Sequence, residues 1–276
     1  MAGLLRIMWS IGTGSEVMHR VAVPKIGGMI RPFSPIVIHA VYGLVKGGDC
    51  QSGIRYWQRQ QALPDRFGRR TQAMGFYQDQ IVPLLTNLSM RQKNLTPYRD
   101  RIVSAADGRV LEIGIGSGLN LPHYSPNVQR VIGLDPSAKL LAMARRAGSH
   151  SLPVDFVEGS AEQIPLENGS VDTVVTTWTL CTIPDVDHAL HEMRRVLKPI
   201  GRLLFVEHGR APDPNVVWWQ DRLTPMWKCI GGGCHLNRPI SSLIEGAGFQ
   251  FERLETSYMR GPKPMTFMYE GSAQPR

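Results

Sequence analysis

Through residues 1–73 hydrophobic positions follow no sustained period, and glycine pairs (Gly27-Gly28, Gly47-Gly48) and prolines (Pro24, Pro32, Pro35, Pro64) interrupt each candidate element. From about residue 74 the pattern changes. Ile81, Leu84, Leu85 and Leu88 fall at helix-compatible spacing, with Pro83 marking a helix start or a bend. Residues 109–115 form an apolar run that ends in glycines, and residues 130–134 predict a second strand. Residues 137–147 follow as a helix, with Leu140, Leu141 and Ala144 on one face. Residues 154–157 and 171–177 predict the third and fourth strands. The clearest helix places Val186, Ala189, Leu190, Met193, Val196 and Leu197 on a single stripe, with Asp185 as N-cap and Pro199 and Gly201 beyond its end. Residues 203–206 are continuously apolar, as in a strand buried on both faces of a parallel sheet. Residues 249–258 and 264–270 can form a closing antiparallel pair. Alternating β and α at this spacing predicts an open α/β sheet with right-handed crossovers and helices on both faces.

Charge sharpens the division at residue 74. The chain of 276 residues carries a net +8. Ten basic side chains in residues 1–73 oppose only Glu16, Asp49 and Asp65, a net of +7 that leaves +1 for residues 74–276. The basic balance therefore belongs to an N-terminal extension, and a folded nucleic-acid-binding face is not expected. We read residues 1–73 as a non-catalytic appendage and residues 74–276 as the catalytic domain. A targeting or membrane-surface arm is the competing reading of the first segment, although its ten glycines and four prolines disfavour an amphipathic helix. The longest apolar stretch, residues 36–45, contains His39 and is too short to span a bilayer, which needs roughly 20 residues. Four cysteines in a chain of this length do not suggest a disulfide scaffold, and no secretory leader pattern is visible, so the expected compartment is cytoplasmic.

The first strand runs into Glu112-Ile113-Gly114-Ile115-Gly116-Ser117-Gly118. A glycine turn between strand and helix admits a ligand close to the backbone. A dinucleotide fingerprint would place its third glycine at position 119, which is Leu119. The second strand ends in Asp135, 19 residues after Gly116, where a carboxylate can accept both hydroxyls of a ribose. The E-x-G-x-G-x-G loop resembles that of class I S-adenosylmethionine (AdoMet) methyltransferases. That resemblance implies a Rossmann-like seven-stranded sheet, mostly parallel with an antiparallel closing strand, and AdoMet as cofactor. It also implies that Glu112, Gly114, Gly116, Gly118 and Asp135 bind AdoMet. Ser160, Ala161 and Glu162 fall in the adenine-reading loop after strand three, and Thr177 and Trp178 cross the cleft near the sulfonium. An aromatic face beside a cation is attractive, so Trp178 is a candidate partner for the sulfonium, with a plain core role as the alternative.

The segments Trp178-Thr179-Leu180-Cys181, Glu207-His208-Gly209, Trp219-Gln220-Asp221-Arg222 and Gly233-Cys234-His235-Leu236-Asn237-Arg238 narrow the resemblance to the methyltransferase-type-11 group. That group includes animal alkyl-thiol methyltransferases and, more distantly, quinone C-methyltransferases and phospholipid N-methyltransferases. A thiol or phenol acceptor needs deprotonation. His208, after strand five, and His235, in the insertion beyond it, are the candidate bases, each with a plain structural hydrogen-bonding role as the alternative. Cys181 reads as a small cleft-lining residue. Cys229, Cys234 and His235 lack a fourth ligand and the tighter spacing usual for zinc, so no metal is expected. The apolar segment 216–230, with Trp218, Trp219, Leu223, Met226, Trp227 and Ile230, reads first as a wall of the acceptor site and second as a peripheral membrane contact. The expected function is methyl transfer from AdoMet to a small apolar acceptor, a thiol first. Methylation of a phospholipid or quinone head group, or an AdoMet-binding module without turnover, are the alternatives.

Overall fold

A computed structural model describes residues 81–147 and 152–276. The proposed appendage of residues 1–73 and its boundary at Met74 lie outside the described residues. The elements in chain order are α1 (Val82–Met90), α2 (Thr96–Val103), β1 (Gly108–Ile113), β2 (Val128–Asp135), α3 (Ala138–Ala147), β3 (Val154–Glu158), β4 (Val171–Thr177), α4 (Val186–Val196), β5 (Leu197–His208), α5 (Pro214–Ile230), α6 (Ile240–Gly246), β6 (Phe249–Tyr258), a one-turn α7 (Lys263–Thr266) and β7 (Phe267–Pro275).

The seven strands form one sheet in the order β3-β2-β1-β4-β5-β7-β6. All neighbouring pairs from β3 to β5 are parallel, and β7 runs antiparallel to both β5 and β6. This is the Rossmann-like arrangement that the glycine loop implied. The closing pair has the expected sense, although β7 occupies 267–275 rather than 264–270. Strand β5 is longer than its apolar run: it starts at Leu197, and its pairing with β4 shifts register between Val171 and Thr173. Leu197, the last position of the helical stripe, and the Pro199–Gly201 stop after it are thus absorbed into the strand as an irregularity.

Parallel strands bury both faces, which explains their continuous apolar runs. Leu111, Val174, Leu203 and Phe205 belong to one core layer. Val110, Val175, Leu204 and Val206 alternate with them into the other. The first layer is covered by α4, which buries Val186, Ala189, Leu190, Met193 and Val196, and by Ile240 and Ile244 of α6. The second is covered by Ile102 and Val103 of α2 and Leu141 of α3. Helix α4 begins where its sequence said it should: the Asp185 carboxylate accepts the His188 backbone N–H at 3.0 Å. Pro83 sits in the first turn of α1, where its missing N–H costs nothing.

The connections put the site in one place. Strand order reverses between β1 and β4, because the chain leaves β1 toward β2 and later returns to β1's other side. The loops at the C-terminal ends of these two strands diverge and leave a crevice there.

Candidate active site

A cleft of about 660 Å³ opens at that reversal, within the range of roughly 300–1,000 Å³ usual for small-molecule sites. Its floor is the glycine loop. Gly114 has φ +68° and a side chain there would collide with the Thr179 side chain, so both the backbone angle and the closeness of the β4 loop require glycine. Gly116 donates its N–H to Asp135 Oδ2 at 2.9 Å, and Ser137 donates its N–H to Asp135 Oδ1 at 2.8 Å. The carboxylate at the end of β2 thereby holds the loop in position and keeps two acceptor sites for a ligand. Burial pushes the Asp135 pKa up, against the two backbone donors that favour the charged form.

Glu112 lies at the centre of a buried network that sequence reasoning did not find. Its Oε1 accepts from Asn120 Nδ2 at 2.8 Å and its Oε2 from Tyr124 Oη at 2.8 Å. Asn120 also donates to Thr177 Oγ1 at 2.9 Å, and its Oδ1 accepts from Arg99 Nε at 3.0 Å. Glu112 is 1% exposed, and this burial raises its pKa to about 7 despite the hydrogen bonds and Arg99. Asn120 carried no motif signal, since it lies two residues beyond the last glycine and acts only through tertiary partners.

The other expected cofactor residues divide. Ser160, Ala161, Thr177 and Trp178 line the cleft with Glu112, Gly114, Gly116 and Asp135. Gly118 does not: it packs beneath the loop, where a side chain would press on Leu121 and Ala144. Glu162 is also outside the lining. Its Oε1 accepts the Asp185 N–H at 2.7 Å, tying the β3 exit loop to the start of α4, while Ser160 Oγ donates to its Oε2 at 3.2 Å. Trp178 faces the cleft and the core at once. It lines the cleft, adopts φ +51° and packs on the second core layer, with Tyr98 edge-on at 6.3 Å and the Arg99 guanidinium 5.0 Å from its ring centre.

Neither candidate base lines the cleft. His208 Nε2 lies 3.2 Å from Cys234 Sγ, and its Nδ1 is buried without a hydrogen-bond partner among the described residues. His235 has Nδ1 3.1 Å from the Cys181 carbonyl oxygen and donates its backbone N–H to the same oxygen at 2.8 Å. Both histidines therefore stand behind the cleft wall rather than on it. Cys181 is likewise buried behind the wall, while its neighbours Thr179 and Thr182 face the cleft. A hydrogen bond from Cys181 and the adjoining His208 hold Cys234 well below the usual thiol range, and the same contact, with burial, pushes Cys181 up.

The aromatic segment forms helix α5, but not as an acceptor-site wall. Trp218, Trp219 and Met226 are 47%, 41% and 49% exposed, and among the described side chains and backbone of this stretch the cleft is reached by Gly231 and Gly232, in the turn after the helix. The apolar wall comes instead from α1 and the β4 loop, through Val82, Pro83, Met90, Ile183 and Pro184. No helix among the described residues is long and apolar enough to cross a membrane.

The cleft suits AdoMet on its own geometry. A glycine floor without side chains, a buried carboxylate with free acceptor sites, an anionic network at Glu112 and an aromatic ring match an amino acid, a ribose and a sulfonium. Comparison with known proteins agrees. Residues 111–205 match the family described as "Methyltransferase domain". The chain is 36% identical over 176 residues to the thiol S-methyltransferase TMT1B of Homo sapiens, covering 61% of this chain and 70% of that protein. It is 28% identical over 167 residues to the ubiquinone/menaquinone biosynthesis C-methyltransferase UbiE of Bartonella tribocorum, covering 58% of this chain and 61% of that one. A SAM-dependent methyltransferase from Thermotoga maritima shares the fold, with a TM-score of 0.53 at 22% identity over 71% of this chain and 99% of that one. With the glycine loop, Asp135 and the strand order in agreement, the chain belongs to the S-adenosylmethionine-dependent methyltransferases.

Proposed function

We propose that this methyltransferase acts on the sulfur of a small, apolar thiol. The observation that carries the reading is the apolar wall of Val82, Pro83, Met90, Ile183 and Pro184 beside the glycine loop, which favours an uncharged, compact acceptor. The likeness to thiol S-methyltransferases across 70% of one such protein supports the choice of sulfur. AdoMet supplies an electrophilic sulfonium methyl and a neutral thioether leaving group. The chain's own contribution is placement. Asp135 and the Gly114–Gly116 floor hold the nucleoside end, Glu112 offers negative charge to the cationic end, and α1 confines the acceptor. Holding nucleophile and methyl in line can supply several kcal/mol of the barrier, on the order of 7–11 at best.

The exposed Trp218, Trp219 and Met226 of α5 favour a second reading, in which the acceptor is a lipid or quinone head group reached from a membrane surface. One screen separates the two. The protein is incubated with AdoMet and an alkyl thiol, a phospholipid vesicle or a quinol, and S-adenosylhomocysteine is followed. Turnover with the thiol is the expected result. Turnover with phospholipid or quinol and none with any thiol would show that the first reading is wrong.

A further inference from the structure

Three separate stretches of chain bring two thiols and an imidazole together behind the cleft. Cys181 follows β4, His208 ends β5, and Cys234 lies beyond α5. Their ligand atoms, Cys181 Sγ, His208 Nε2 and Cys234 Sγ, all lie within 4.8 Å of one another. In a tetrahedral site with metal–sulfur and metal–nitrogen bonds of usual length, ligand atoms stand about 3.6–3.8 Å apart. The cluster needs only small side-chain shifts to reach that spacing.

The cluster is also held in place. The His235 backbone N–H binds the Cys181 carbonyl at 2.8 Å, which couples the two cysteine-bearing loops directly. Buried Arg238 donates to the carbonyls of Leu180 and, at 2.6 Å, Ile183, on either side of Cys181. Such outer contacts are what fix ligand orientation at metal sites. By contrast, the ring of His235, next to Cys234 in sequence, is turned to the Cys181 carbonyl and stays outside the cluster.

The geometry points to a binding site for a thiophilic divalent cation of the zinc class, with Cys181, His208 and Cys234 as its ligands and a fourth position for the sulfur of the acceptor. Three protein ligands of the Cys2His type with one exchangeable position are the pattern of catalytic rather than structural zinc. Thr179 and Thr182 beside Cys181, and Gly231 and Gly232 before Cys234, line the cleft, so the site lies directly behind the cleft lining. A thiol bound to such an ion gives its proton to solvent and stays nucleophilic as the thiolate. Its sulfur pair then forms the new S–C bond, the pair of the breaking sulfonium C–S bond returns to the departing thioether, and the methylated product, a poorer ligand, dissociates. No oxidant or reductant is consumed. The metal site stands on the cluster alone, whereas the fourth position rests on the thiol reading.

The test uses the full chain, purified without chelator under a phosphine reductant. Elemental analysis is expected to find about one zinc per chain, reduced at least about tenfold in Cys181→Ser and in Cys234→Ser. Melting temperature and AdoMet affinity of both variants report whether they remain folded. Cobalt(II) substitution is expected to give thiolate-to-cobalt charge-transfer absorption and the visible bands of a tetrahedral site, and an alkyl thiol should shift those bands. No metal uptake by the folded wild-type protein, or a Cys181–Cys234 disulfide in its place, overturns the site. Cobalt bands that an alkyl thiol does not move overturn the fourth position. Thiol methylation that persists in metal-free protein overturns the fourth position and leaves the thiol reading intact; metal binding without any thiol turnover leaves the metal site standing and overturns the thiol reading together with the fourth position.

Discussion

Asp135 provides the sharpest test of the cofactor site. Its two oxygens each accept one backbone N–H, from Gly116 at 2.9 Å and Ser137 at 2.8 Å. An ionised carboxylate has roughly four acceptor sites, so about two remain for the ribose hydroxyls. Asp135→Ala removes these charge-assisted bonds to the ligand, which predicts a loss of about 1.5–3 kcal/mol in AdoMet binding, roughly 10- to 160-fold in Kd. The effect on folding should be smaller, because two terms oppose. Two backbone donors lose their acceptor, at about 1–2 kcal/mol together, but the protein no longer buries a carboxylate whose pKa burial has raised. We expect the ligand-free variant to stay within about 1 kcal/mol of wild type. Titration calorimetry with AdoMet, beside thermal unfolding without it, separates the two effects. AdoMet affinity unchanged in a folded variant would refute the role given to this carboxylate, as would measurable NAD binding by the wild type.

Glu112, Gly114 and the N-terminal segment each carry a further expected outcome. The Glu112 pKa is raised to about 7 from 4.5, so its neutral form stabilises the ligand-free fold fully below about pH 4.5, and that contribution, about 3 kcal/mol, is lost as pH rises through about 7. A glutamine oxygen can still accept from Asn120 while its amide N–H donates to Tyr124 Oη, so Glu112→Gln should melt above wild type at pH 8 and not at pH 4.5; equal melting at both would show that the carboxylate is not strained by burial. AdoMet is cationic and favours the ionised form, so its binding to wild type should release protons near neutral pH, read as a dependence of calorimetric heat on the buffer's ionisation enthalpy, and the glutamine variant should release none. Gly114→Ala should cost about 1–3 kcal/mol in stability through its positive φ and the encounter with Thr179, and weaken AdoMet binding; a variant as stable as wild type would contradict the close packing of the β4 loop on the glycine turn. A chain beginning at Met74 should keep the melting temperature and AdoMet affinity of the whole protein, whereas a loss above about 2 kcal/mol would place residues 1–73 in the core.

What the sequence determined by itself was whatever local pattern and backbone chemistry dictate. Apolar periodicity located the strands and the Asp185-capped helix α4, because burial on both faces or on one stripe leaves its mark within a dozen residues. The glycine spacing and the carboxylate 19 residues on located the cofactor floor, because only a side-chain-free turn admits both Asp135 and the β4 loop. Relations between distant residues were decided by the tertiary structure. Asn120 became a bridge because β1 and β4 are neighbours, which places Thr177 beside Glu112. Glu162, adjacent in sequence to the cleft residues Ser160 and Ala161, turned away to the start of α4, where a backbone N–H needed an acceptor. Helix α5 was legible as apolar but not as exposed, since its composition does not reveal which side faces the fold. His208 and His235 looked alike as candidate bases, and the spacing of Cys229, Cys234 and His235 argued against a metal. Adjacency of β4 and β5 instead delivered Cys181 and His208 to the same sheet edge, and the return of the chain after α5 brought Cys234 to meet them, a proximity that no spacing in the sequence encodes.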